Sequence, residues 1–198
     1  MSVCLLTVED GRTGYHEKSW ASLREQLPDV EHIVSIDDSA HELGFAGAIA
    51  EGWASVLDTD AEFVVHVELD FIFLAPVPLD AMIYALRQRP RLAQICLKRG
   101  PVNAEEIAAG GIVERFPDRY REEYAAGHII SVNDVVFSTN PCVYSVEICR
   151  RGWPQVPHSE GVFTQQLRDD GYEFAFWGKK FDRPRVEHIG HVRSGQGY

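Results

Sequence analysis

Apolar residues fall in short runs separated by acidic, glycine and proline punctuation, and the runs alternate in period. Residues 3–8 form an apolar run that ends in Glu9-Asp10-Gly11, the pattern of a buried strand entering a loop. Over 14–27 the apolar positions Trp20, Leu23 and Leu27 recur at helical spacing and Pro28 closes the segment, which predicts a helix. A second β-branched run at 32–36 reads as a strand ending in Asp37-Asp38-Ser39, and an alanine-rich apolar helix is predicted over 45–57. Helix 79–88 and strand 92–97 follow a turn marked by Pro76 and Pro78. Regular alternation of strand and helix predicts an α/β fold, a single domain with a mostly parallel sheet and helices on both faces.

The second half is less regular. Residues 98–127 read as a loop with a partly exposed helix, 128–139 as a strand pair, 144–151 and 162–169 as helices, and 172–177 as a strand. No repeat, low-complexity tract or linker divides the chain, so one domain over 1–198 is expected.

The run at 63–74 changes the picture, because Glu68 and Asp70 interrupt residues that are otherwise almost entirely apolar. Two carboxylates one residue apart at a strand's carboxyl end leave the same face and can converge on one cation. Hard ions such as Mg²⁺ or Mn²⁺ take oxygen ligands and are commonly shared with substrate phosphates. In open α/β sheets, ligands sit beyond the carboxyl ends of the strands, where this pair is expected. The competing reading is a carboxylate pair satisfied by a nearby cation or helix N-terminus.

Charge and composition narrow the partners. A formal net charge of -11 gives no broad basic footprint for nucleic acid or an anionic membrane. No stretch approaches the ~18 consecutive apolar residues that span a bilayer, and the N-terminus does not resemble a secretory signal. Cys4, Cys96, Cys142 and Cys149 are scattered without a paired motif, which predicts buried reduced thiols in a soluble cytoplasmic protein. No cysteine cluster or His-Glu-x-x-His supports zinc.

Three segments carry a family resemblance. Ala61-Glu62-Phe63-Val64-Val65-His66-Val67-Glu68-Leu69-Asp70-Phe71 resembles the stretch containing the Asp-x-Asp motif of GT-A glycosyltransferases. His158-Ser159-Glu160, with Leu167 seven residues after Glu160 and Gly171 four further on, is similar to the acceptor-base segment of family 2. Val186-Glu187-His188-Ile189-Gly190-His191-Val192-Arg193 resembles the late histidine segment of several GT-A enzymes. The resemblance implies a single GT-A (Rossmann-like) domain, with a nucleotide-sugar half at 1–97 and an acceptor half at 98–198. It implies an inverting transferase using Mn²⁺ or Mg²⁺ and a nucleotide-sugar donor, a UDP-sugar first among them. Asp70 would ligate the metal with Glu68 and with His191 or His188, His191 being preferred. Glu160 would deprotonate the acceptor, and Arg193 would neutralise the leaving diphosphate. Thr7, Val8, Glu9 and Asp37 or Asp38 would grip base and ribose, although Asp38 and Ser39 suit a turn or helix cap equally well.

The chain departs from the family pattern in three places. Glu68 replaces the first aspartate, Glu160 replaces an aspartate, and the expected basic residue is missing from Ala48-Ile49-Ala50-Glu51-Gly52. The acceptor, whether glycan, protein, small molecule or modified nucleic acid, is not specified, and neither is the oligomeric state. A sugar-phosphate nucleotidyltransferase is a second enzyme reading, but Glu9-Asp10-Gly11-Arg12-Thr13-Gly14 lacks its phosphate-loop spacing. A nucleotide-sugar-binding domain without turnover is the non-enzyme reading.

Overall fold

The computed structural model describes residues 2–11 and 14–190. Its elements in chain order are β1 (Val3–Glu9), α1 (His16–Gln26), β2 (His32–Asp37), α2 (Gly44–Leu57), β3 (Phe63–Glu68), β4 (Phe71–Phe73), α3 (Leu79–Gln88) and β5 (Leu92–Leu97). Two short helices, α4 (Ala104–Ala109) and α5 (Ile112–Arg115), and a 3₁₀ turn over Pro117–Arg119 follow. The chain continues with β6 (Tyr120–Ala125), β7 (His128–Asn133), β8 (Cys142–Ser145), α6 (Val146–Cys149), α7 (Ser159–Asp169), β9 (Glu173–Trp177) and β10 (Val186–His188).

Eight strands form one mixed sheet in the order β2-β1-β3-β8-β5-β9-β7-β6, and β10 pairs with β4 in a separate ribbon. The β2-β1-β3 part is parallel, β8 is inserted antiparallel between β3 and β5, and β5 and β9 are parallel again. Strand alternation sends β1 residues Val3 and Leu5 to one face, with Val65 and Val67 of β3 beside them, under Leu23 of α1 and Met82 and Ile83 of α3. Cys4 and Leu6, with Val64, point to the other face under Ile49 and Trp53 of α2 and Phe163 and Leu167 of α7. At Gly52 of α2, an added Cβ would lie 2.8 Å from Leu6 Cδ1, so only the missing side chain lets α2 approach β1 this closely.

Three expectations are corrected. The apolar run at 63–74 is not one strand: β3 stops at Glu68, Leu69 and Asp70 turn, and β4 leaves for the second sheet. Residues 128–139 give one strand, β7, whose partner β6 comes from the stretch read as loop and helix. The helix expected over 144–151 is reduced to α6, because Cys142–Ser145 is captured as the buried strand β8. The α/β architecture itself, a mixed sheet with helices on both faces, is as expected. All four cysteines are free, buried thiols. No helix among the described residues is long and apolar enough to cross a membrane.

Candidate functional site

Strand order 2-1-3 means that the chain leaves β1 towards one side and later returns on the other, opening a crevice beyond the carboxyl ends of β1 and β3. Asp10 follows β1 at this crevice, and Glu68-Leu69-Asp70 follow in β3 and its turn. The turn is fixed from both sides, since Leu69 N donates to Val8 O at 2.9 Å and Ile189 N donates to Asp70 O at 2.8 Å. The β10-β4 ribbon sets His188 opposite Phe71, with ring centroids 5.0 Å apart. That register brings His188 Nε2 to 3.0 Å from Asp70 Oδ2.

Two cavities meet at these carboxylates. The smaller, about 410 Å³, is lined by Val8, Glu9, Asp10, Gly11, Tyr15, His16, Asp37, Ser39 and Phe45, together with Glu68 and Asp70. The larger, about 1070 Å³, shares Asp10, Phe45, Glu68 and Asp70 and extends to Asn133, Thr139, Glu160 and His188. Asp70 is only 4% exposed yet borders both spaces, so its carboxylate faces His188 and the cleft.

The expected binding residues separate on this geometry. Val8, Glu9 and Asp37 line the smaller cavity. Glu9 Oε2 lies 3.3 Å from His16 Nε2, and Asp37 Oδ1 accepts Ser39 N at 2.9 Å. Hydrogen bonds from Ser39 hold the exposed Asp37 carboxyl below the ordinary carboxylate range. Thr7 is fully buried, with its hydroxyl on Ser35 Oγ at 3.0 Å, and lines neither cavity. Asp38 is buried at 2% exposure, and its Oδ1 accepts Leu43 N at 3.0 Å in the turn before α2. His191 and Arg193 lie outside the described residues.

Glu160 stands in the first turn of α7 on the larger cavity, where its Oε1 accepts Thr139 N at 2.9 Å and Thr139 Oγ1 at 3.2 Å. The loop before α7 is held by His158 in the left-handed region, at φ 56°, an uncommon conformation for a residue with a side chain. His158 also lines the larger cavity.

Several lining residues carried no signal in the sequence. Tyr15 and His16 start α1 and Phe45 starts α2, so their convergence is tertiary. Gly11 was legible as a glycine after a strand, and its role is steric: at φ +76° an added Cβ would lie 2.7 Å from Ser39 Cβ and 2.8 Å from Ser39 Cα.

Asp70 and His188 form a two-donor pair and Glu68 opens on the same space. No group of three His, Cys, Asp or Glu side chains that could cage a metal occurs among the described residues. One or two protein donors suit Mg²⁺ or Mn²⁺ shared with phosphate oxygens, a different requirement from the closed four-ligand site of structural zinc. Glu9, Asp10 and Asp37 also line the smaller cavity beside these donors.

No family model matches the chain, and no curated protein matches it. Among solved structures it is similar to A197 from STIV, with a TM-score of 0.57 and 7% identity over 90% of this chain and 82% of that one. It is also similar to S. aureus TarS 1-349 in complex with UDP-GlcNAc, with a TM-score of 0.61 and 12% identity over 100% of this chain. The chain spans 60% of that TarS chain, and a second TarS 1-349 structure superposes with a TM-score of 0.60. These likenesses establish a GT-A-like Rossmann fold.

Proposed function

We propose that the chain is a metal-dependent glycosyltransferase that moves a sugar from a UDP-sugar to an acceptor hydroxyl with inversion. One observation carries the reading: two cavities of different size meet at Glu68 and Asp70, with Glu160 in the larger one. The smaller space, bordered by Asp37 and by the rings of Tyr15 and Phe45, suits a nucleoside, and the larger suits sugar and acceptor. The fold likeness to TarS in complex with UDP-GlcNAc supports a nucleotide-sugar as ligand.

In this reading Asp70, Glu68 and His188 hold the cation, whose positive charge supplies neutralisation of the diphosphate. Asp37 accepts a hydrogen bond from the base or ribose. Glu160 takes the proton of the acceptor hydroxyl, and Thr139 fixes the carboxylate's orientation for that transfer. The walls of the larger cavity align the hydroxyl with the anomeric carbon.

Glu160→Gln and Asp70→Asn each test the assignment, by product formation from UDP-sugars with a panel of hydroxyl acceptors. The expected loss for Glu160→Gln is about 10²- to 10⁴-fold with UDP affinity retained. Normal turnover by Glu160→Gln, or retained anomeric configuration in the product, removes the base assignment. A binding domain without turnover is the second reading, favoured by the two hydrogen bonds from Thr139 that already occupy Glu160 Oε1. Cation-dependent UDP binding with neither transfer nor donor hydrolysis would select it.

A further inference from the structure

Acids outnumber lysine and arginine on the walls of both cavities, and among the described lining residues Arg99 is the only lysine or arginine. Its position is set by the sheet. Beyond β5 the chain runs alongside the approach to β10: Arg185 N donates to Lys98 O at 2.7 Å, and Arg99 bridges Val186. Arg99 therefore leaves the same edge as Glu68 and Asp70, and its bridge partner precedes His188 by two residues.

The guanidinium is held end-on by one carboxylate. Nη1 donates to Glu106 Oε2 at 2.6 Å and to Gly100 O at 2.9 Å, and Nη2 donates to Glu106 Oε1 at 3.1 Å. Glu106 is itself fixed, because its Oε2 accepts Val102 N at 3.0 Å and its backbone N donates to Asn103 Oδ1 at 2.9 Å. Burial opposes ionisation of Glu106, yet the bonds from Arg99 hold its carboxyl below the ordinary carboxylate range. The fork occupies one edge of the guanidinium. A carboxylate or phosphate can also meet the other edge, formed by Nε–H and the outer Nη2 hydrogen. Nε has no hydrogen-bond partner among the described residues, in a side chain 8% exposed. Buried donors in native proteins are nearly always satisfied, so this one marks a place where an acceptor arrives.

We propose that Arg99 is a phosphate-binding residue of the cleft, its side-on edge receiving a phosphate oxygen of the ligand, and that Glu106 positions it. The proposal rests on the nucleotide-sugar reading of the same cleft and supplies a cation that α2 lacks, since α2 contains no lysine or arginine. Neighbouring Lys98 does not serve, because its Nζ is committed to Glu114 Oε1 at 3.2 Å and Lys180 O at 2.6 Å. Nε is covered by the wall, so engagement draws the guanidinium towards the cleft.

Binding of UDP, uridine and inorganic phosphate in Mn²⁺ buffer tests it, the last offered to both free and UDP-saturated protein. Arg99→Met alone would strand the buried Glu106 carboxylate, so the variant is Arg99→Met with Glu106→Gln. Arg99→Lys, which keeps the charge and loses the fork, provides the same comparison if the double variant fails to fold. A fall in UDP affinity of about tenfold or more, with uridine unchanged, assigns the phosphate to the donor. A similar fall only for phosphate on UDP-saturated protein assigns it to an anionic acceptor. Unchanged affinity for UDP and for phosphate overturns the role of Arg99. If the wild type binds no UDP, the nucleotide reading fails, and phosphate binding to the free protein still decides Arg99.

Discussion

His66 lies in β3 on the face away from α1 and is sealed beneath α2, with no solvent exposure. Tyr144 Oη sits 3.0 Å from its Nδ1 and accepts Trp53 Nε1–H at 2.9 Å. Tyr144 completes its own bonding by donating to Nδ1, which places the His66 proton on Nε2, an atom with no hydrogen-bond partner among the described residues. Burial disfavours the imidazolium and lowers the His66 pKa to about 3 from 6.5. Between those values the unfolded chain takes up a proton that the folded chain refuses, so stability falls as pH falls below 6.5. The expected loss from this residue is about 2 kcal/mol by roughly pH 5. Denaturant titrations at several pH values check this. His66→Phe should flatten the slope whatever its effect on absolute stability, and an unchanged slope assigns the pH dependence elsewhere.

At the scale of elements, the loop after β1 closes the smaller cavity through Gly11. Gly11→Ala puts a side chain against the backbone of Ser39 and into a left-handed conformation, a strain of about 1–3 kcal/mol. Melting should report that cost, and UDP affinity should fall about tenfold as the loop moves away from Asp37. A variant with unchanged melting and binding would show that the loop does not shape the pocket.

Strands β1, β2 and β5 and helices α1, α2 and α3 were legible because their apolar runs are bounded by proline, glycine or charged residues. β8 was not, because four residues of buried strand carry no periodicity and its place between β3 and β5 is a long-range choice. β6 was missed for a different reason. It is an edge strand, and the charges of Arg121, Glu122 and Glu123 that protect such an edge also resemble a solvated helix. The turn at Leu69 and Asp70 was hidden by apolar neighbours on both sides, since β4 is as buried as β3 although it belongs to another sheet. Glu68 and Asp70 stood out in the sequence as charges in an apolar run. The pairing of Asp70 with His188 depends on the β10-β4 register, and spacing alone left two histidines open.

Across the whole molecule, a net charge of -11 and an acidic crevice set the terms on which the proposed nucleotide ligand would bind. Histidine and arginine enter the crevice from separate elements: His16 from α1, His188 from β10 and Arg99 from the segment after β5. The mixed sheet holds these elements in one frame, so the site depends on the completed fold and not on any contiguous segment. A phosphate-bearing ligand should bind this crevice more tightly as divalent cation is supplied, whereas a bare nucleoside should be indifferent to it. The decisive measurement is the affinity of the wild-type chain and of Asp70→Asn for UDP, by calorimetry with Mn²⁺ and with chelator. The account predicts binding that chelator weakens by tenfold or more in the wild type and a cation effect that Asp70→Asn abolishes. Equal affinity with Mn²⁺ and with chelator, or an undiminished cation effect in Asp70→Asn, would contradict it.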